Sequence, residues 1–96
     1  MPSYIMLLNW TERGIANIKG SPGRLDAGRE AFQTLGCELK DVYLTMGPYD
    51  LVCVMNAPDA ETAARAILSL GTEGSVRTLT LPAFTEAEYR KIIDEL

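Results

Sequence analysis

The order of elements along the chain (strand, helix, strand, strand, helix, strand, helix) predicts an α+β domain, a ferredoxin-like βαββαβ unit with an extra C-terminal helix. Two unbroken apolar runs, Tyr4 to Leu8 and Leu51 to Met55, have strand length and no polar interruption, as expected of central strands covered on both faces. Two further segments alternate with a period of two. Between them, bounded by Gly and Pro, lie stretches with apolar residues at helical spacing.

The first strand ends at Asn9, and Thr11 is placed to cap a short turn carrying Ile15 and Ile18. Ser21 followed by Pro22 marks the start of a longer helix, with Pro where its missing N–H costs nothing. Leu25, Gly28, Phe32 and Leu35 then share a face until Gly36 ends the helix. The second strand sets Val42, Leu44 and Met46 on one side and Tyr43 and Thr45 on the other, and Gly47-Pro48-Tyr49-Asp50 turns it into the Leu51 run as a hairpin. Pro58-Asp59 opens a second helix whose expected inward residues are Ala60, Ala63, Ala64, Ile67 and Leu68, closed by Gly71. After Gly74, Val76, Thr78 and Thr80 alternate with Arg77, Leu79 and Leu81. Thr85 and Glu88 have capping-box spacing ahead of the stripe Tyr89, Ile92, Ile93 and Leu96.

A length of 96 residues with 47% hydrophobic content fits one domain, residues 1–96, without room for a second core. The formal charge of −4, with no cluster of Lys or Arg, would repel a phosphate backbone, so nucleic acid is not an expected partner. Met1-Pro2-Ser3 has no feature of a secretory leader, and no apolar run approaches the ~20 residues that span a bilayer; a cytoplasmic location without membrane contact is expected. The absence of His removes the usual general base. With only Cys37 and Cys53, in different predicted strands and without CxxC spacing, no transition-metal site is expected, nor any cofactor, and the two Cys read as buried thiols.

Two helices can cover only one side of the predicted sheet, yet the central strands are apolar on both. The second side therefore calls for cover, most simply another copy packed face to face as a homodimer or higher homo-oligomer. The edge strands are expected to place Tyr43, Thr45, Thr78 and Thr80 on that side, walling an apolar floor in a way that suits a small ligand cavity between paired sheets.

The stretch from Tyr43 to Val52, with Gly47-Pro48-Tyr49-Asp50 at its centre, resembles the motif of the GYD family of small prokaryotic proteins. Trp10-Thr11 with Gly14-Ile15, Lys19-Gly20-Ser21-Pro22 with Arg24, and Gly74-Ser75-Val76-Arg77-Thr78 agree with it, so the resemblance covers nearly the whole chain. It implies a ferredoxin-like fold of the dimeric α/β-barrel type and brings no settled reaction. A more distant similarity, to the effector domains of leucine-responsive regulators, rests on Gly47, Tyr49 and Asp50 and on Gly74, Val76, Thr78 and Thr80. Those domains bind amino acids between subunits. The chain lacks their DNA-binding helices, so the similarity implies at most a stand-alone sensor.

Each candidate site has a plain alternative. Gly47-Pro48-Tyr49-Asp50 reads first as a turn, with Asp50 accepting backbone hydrogen bonds, and second as a pocket mouth formed by Tyr49 and Asp50. Lys19, Ser21 and Arg24 surround a helix start that could hold an anion, though a Ser cap between solvated cations explains them as well. Arg77 is a lone strand cation that, turned inward, needs an anion such as Asp50 or a ligand carboxylate; turned outward, it guards an edge. Trp10 could stack on a ligand or pack in the core. The leading function is a non-enzymatic binding or sensing module holding a small organic ligand, such as a carboxylate, at Tyr43, Thr45, Tyr49, Asp50, Arg77 and Thr78. The alternatives are a cofactor-free isomerase or monooxygenase, by fold analogy alone, and an adaptor that only associates.

Overall fold

The computed structural model describes residues 1–96. It contains β1 (Ser3–Trp10), α1 (Glu12–Ala16), a single 3₁₀ turn (Ile18–Gly20), α2 (Ser21–Thr34), β2 (Glu38–Leu44), β3 (Leu51–Asn56), α3 (Ala60–Thr72), β4 (Val76–Ala83) and α4 (Glu86–Asp94). The strands form one antiparallel sheet in the order β2-β3-β1-β4, so the two apolar runs lie at its centre as the sequence predicts. β2 and β4 are the edges. The placement of β4 suits Pro82, which has no N–H to give a second neighbour.

One face of the sheet is the core. Tyr4, Met6 and Leu8 of β1 and Cys53 and Met55 of β3 are buried there against Phe32 of α2 and Ala63 and Ala66 of α3. Met6 and Met55 are almost wholly enclosed, and truncating either to Ala would cost about 2–5 kcal/mol. The edge strand β2 reaches this core through a bulge. Leu39 pairs with Met55 and Asp41 with Val54, leaving Lys40 as an extra residue that turns both Leu39 and Val42 to the core side. The Arg29 guanidinium donates to the Leu39 carbonyl and fastens α2 over the bulge.

Several sequence expectations need correction. In α3 the buried side is Thr62, Ala63 and Ala66 with Ile67 and Leu70 beside them, whereas Ala60, Ala64 and Leu68 are exposed. The helix starts where expected, with the Asp59 side chain accepting from the Thr62 N–H at 2.7 Å, and packing of Ala63, Ala66, Ile67 and Leu70 against the core sets its facing. Ser21 is not a cap: the 3₁₀ turn runs directly into α2, Gly20 holds the cap position, and no side chain bonds there. Met46 lies beyond the end of β2 and is 97% exposed.

The other face of the sheet has no helix over it. Its cross-strand rows are Tyr43, Val52, Leu7 and Leu79, then Asp41, Val54, Ile5 and Leu81, with Asn9 and Arg77 beyond the first row. Thr78 and Thr80 pair with Leu8 and Met6 and therefore point to the helix side, contrary to expectation. In β4 the leucines rather than the threonines face outward, because Met6 and Leu8 fix which β4 residues share the core side. This facing has a consequence for Thr80, whose Oγ1 is buried without a hydrogen-bond partner.

α4 follows β4 after Phe84 and Thr85. The Thr85 and Glu88 side chains form the predicted capping box, and Glu86 pairs with Arg90 at 2.8 Å one turn on. No residue of α4 is buried, and Tyr89, Ile92, Ile93 and Leu96 stay open to solvent together with Phe84.

Thr80→Val keeps the side-chain shape and removes the unpartnered hydroxyl, so it is expected to stabilise the fold by about 1 kcal/mol. Urea unfolding tests this; a lower midpoint than the native chain would mean that the hydroxyl is bonded.

Candidate functional site

The motif segments meet at one end of the sheet, where β1 finishes and β3 and β4 begin. Gly47, at φ 123°, makes the turn possible for a residue without a Cβ. The Thr45 hydroxyl donates to the Tyr49 carbonyl at 2.6 Å, and the Thr45 N–H donates to the Asp50 carbonyl at 2.8 Å. Asp50 joins this hairpin to the central strand twice: its N–H donates to the Leu8 carbonyl at 2.9 Å, and its Oδ2 accepts from the Trp10 N–H at 3.0 Å. The carboxylate thus continues the β1–β3 pairing past the last backbone pair.

Thr11 performs the same service between β1 and β4. Its N–H donates to the Ser75 carbonyl at 3.0 Å, its hydroxyl donates to the Gly74 carbonyl at 2.6 Å, and the same oxygen accepts from the Gly14 N–H at 3.1 Å as the cap of α1. Gly14 lies so close to β4 that a Cβ there would overlap the Ser75 carbonyl oxygen. The Arg24 guanidinium donates to the Asn17 carbonyl at 2.8 Å and to the Gly14 carbonyl at 3.4 Å, closing the C-terminal end of α1. Arg24 is therefore engaged with carbonyls, and Lys19 is exposed.

The predicted ligand residues fall in three places. Tyr43 is 60% exposed on the open face and shares its row with Val52. Arg77 is exposed on that face opposite Asn9; the two ion pairs of the structure, Glu61 with Arg65 and Glu86 with Arg90, do not involve it. Thr45, Tyr49 and Asp50 belong to the hairpin, half-buried. Thr78 lies on the helix side, so within one chain these six residues do not converge on a common point.

Burial pushes the Cys53 thiol up to about 11, outweighing the opposing charge of Arg29, and it raises Cys37 as well, with Asp59 adding to the effect. Both thiols are free and buried; as neutral thiols near pH 7 they are poor nucleophiles. Nowhere do three His, Cys, Asp or Glu side chains gather as metal ligands. No helix is long and apolar enough to cross a membrane.

Two features escape the sequence reading. One is the isolation of α4, since an apolar stripe on a helix ordinarily signals packing within the chain. The other is a cavity of about 70 Å³ between α2, the end of α3 and the core side of the sheet, to which Trp10 contributes a wall. Gly28, alone among larger apolar residues on the inner face of α2, was the available signal.

The antiparallel sheet with helices on one face defines a ferredoxin-like α+β fold. The chain belongs to the GYD domain family, which matches residues 4–93. It is 38% identical over 89 residues to the glutamine synthetase and cystathionine beta-lyase binding protein of Thermus thermophilus, an alignment covering 92% of this chain and 94% of that protein. A crystal structure from the same organism, of a protein 30% identical in sequence, superposes with a TM-score of 0.56 over 88% of this chain and 95% of the other.

The contact of Gly14 with Ser75 supplies a test of the junction. Gly14→Ala is expected to lower stability by about 3 kcal/mol, because the added methyl meets backbone rather than a movable side chain. A chemical-unfolding curve that matches the native chain would refute this close approach.

Proposed function

We propose that this chain is a non-enzymatic, self-associating module that docks onto other proteins, with the open sheet face as its pairing surface. The observation that carries this reading is the pair of cross-strand rows centred on Leu7 and Ile5, an apolar field that no element of the chain covers. Leu79 and Leu81 on its edge are 49% and 45% exposed, a contiguous arrangement typical of interaction surfaces rather than of scattered surface leucines. A face-to-face pair of identical chains is the simplest cover, and it would give the dimeric α/β-barrel arrangement implied by the family resemblance. The name of the Thermus relative supports a protein-binding role, and enzymes of the kind it names, glutamine synthetase and cystathionine β-lyase, are the partners to try first. A cytoplasmic location fits that partner class.

The uncommitted Arg77 favours a second reading, in which the paired faces also enclose a small carboxylate. Arg77 would hold the anion, with Tyr43 and Thr45 orienting it, while Tyr49 and Asp50 shape the hairpin at the rim. Thr78 would take part only from the opposite side of its strand.

Light scattering of the native chain is expected to give at least twice the mass of one 10.5 kDa chain. Leu79→Asp, at an exposed edge position that should not impair folding, is expected to shift it to a monomer and to reduce capture of the two enzymes. A native monomer would overturn the pairing surface; unchanged capture by a monomeric variant would separate docking from pairing. Under the second reading, Arg77→Met abolishes carboxylate binding in calorimetry and leaves subunit number unchanged, whereas equal binding by the variant removes the reading.

A further inference from the structure

We propose that the cavity between α2 and the sheet is a binding site for a small, uncharged, largely apolar molecule. The site lies on the side of the sheet away from the proposed pairing face, so it stands independently of that reading. It is lined on the sheet side by Met6, Leu8 and Cys53 and on the helix side by Phe32 and Leu70, and it is partly open to solvent. The volume of about 70 Å³ compares with roughly 10–15 Å³ for one enclosed water. It therefore suits about five to seven non-hydrogen atoms.

Gly28 leaves this space open. It sits on the inner face of α2, between Leu25 and Phe32, where the helical stripe calls for a side chain. A Cβ at Gly28 would find its nearest heavy neighbour, Leu70 Cδ1, only at 4.0 Å, an ordinary contact distance. Close packing therefore does not require glycine here, and φ is not in the left-handed region. Glycine is nonetheless among the poorest residues for a helix interior, and alanine would both fit and favour the helix. What glycine provides at this position is room.

The lining sets the class of occupant. The interior offers mainly hydrocarbon, aromatic rings and a neutral thiol, so water would lack the two to four polar partners it needs. The charged groups at the rim are Arg24, whose guanidinium already donates to two carbonyls, and Glu73, which is exposed. An ion inside would meet no buried countercharge, since Glu73 keeps its carboxylate in solvent, whereas an aliphatic body with one hydroxyl could keep that hydroxyl at the rim beside Ser21.

Trp10, the only tryptophan of the chain, lines the cavity and makes the test direct. The full chain is titrated with 1-pentanol and cyclopentanol, and with pentanoate and pentylammonium as charged counterparts, while Trp10 fluorescence and the unfolding temperature are followed. The alcohols are expected to give a saturable fluorescence change and a raised unfolding temperature, and the ions neither. Gly28→Ala, which places a methyl in the cavity, is expected to weaken alcohol binding at least about tenfold. Gly23→Ala is the control: it makes the same change in the same helix where a Cβ meets nothing within 4 Å, and it should bind like the native chain. A non-saturating response, undiminished binding by Gly28→Ala, equal weakening by Gly23→Ala, or equally tight binding of either ion would overturn the proposal.

Discussion

The structure depends on a mismatch between strands that are apolar on both sides and helices that can cover only one. β1 and β3 send Tyr4, Met6, Leu8, Cys53 and Met55 into the core and Ile5, Leu7, Val52 and Val54 to the opposite face. Burial of the first set against α2 and α3 supplies the hydrophobic stabilisation of the chain, at roughly 25 cal/mol for each Å² of apolar surface removed from water. The second set is only half-buried within the chain and keeps part of its apolar surface open to solvent. Under the proposed pairing, folding and association would be linked through the same strands, because residues alternate between the core and the open face at steps of roughly 3.3 Å along β1.

The family motif is intelligible as the set of fastenings that hold the sheet end together. β1 runs past β3 and ends level with β4 at the Trp10–Val76 pair, and one residue extends the pairing on each side. Asp50 reaches from the hairpin to the Trp10 N–H, and Thr11 reaches from β1 to the carbonyls of Gly74 and Ser75. Gly14 lets α1 lie directly on Ser75, and Arg24 ties the end of α1 to α2. A Gly-x-Tyr-Asp sequence can thus be shared within a family without any of its members doing chemistry there, because a carboxylate accepting a backbone N–H at a strand junction is reason enough for an aspartate.

The strand order, the hairpin, the Thr11 cap and the capping box of α4 were legible because each depends on neighbours in sequence. The errors arose where distant residues decide. The facing of β4 could not be fixed from its own pattern, since Thr and Leu alternate cleanly either way and only pairing with Met6 and Leu8 assigns the sides. The alanines of α3 satisfy several helical faces equally well, and only packing of Ala63, Ala66, Ile67 and Leu70 against the core selects one. The same limit applies to the ligand residues: period-two patterning puts Tyr43 on the open face, but it leaves the facing of Arg77 undecided and cannot reveal that the Asp50 carboxylate is engaged by Trp10.

α4 bears on association as directly as the sheet does. A helix of nine residues is marginal in water on its own, and its capping box and single exposed ion pair supply only modest local support. Its apolar residues recur on one stripe, as in helices that pack, yet this chain gives them no surface to pack on. The open sheet face cannot be that surface within the same chain, because its leucines and α4 are exposed together. Two uncovered apolar surfaces of one chain, a flat sheet and a projecting helix, would raise the free-energy gain of the proposed association beyond that of the sheet alone. They also give it two components of different shape, so that a sheet-to-sheet pair would still present helices to a further partner.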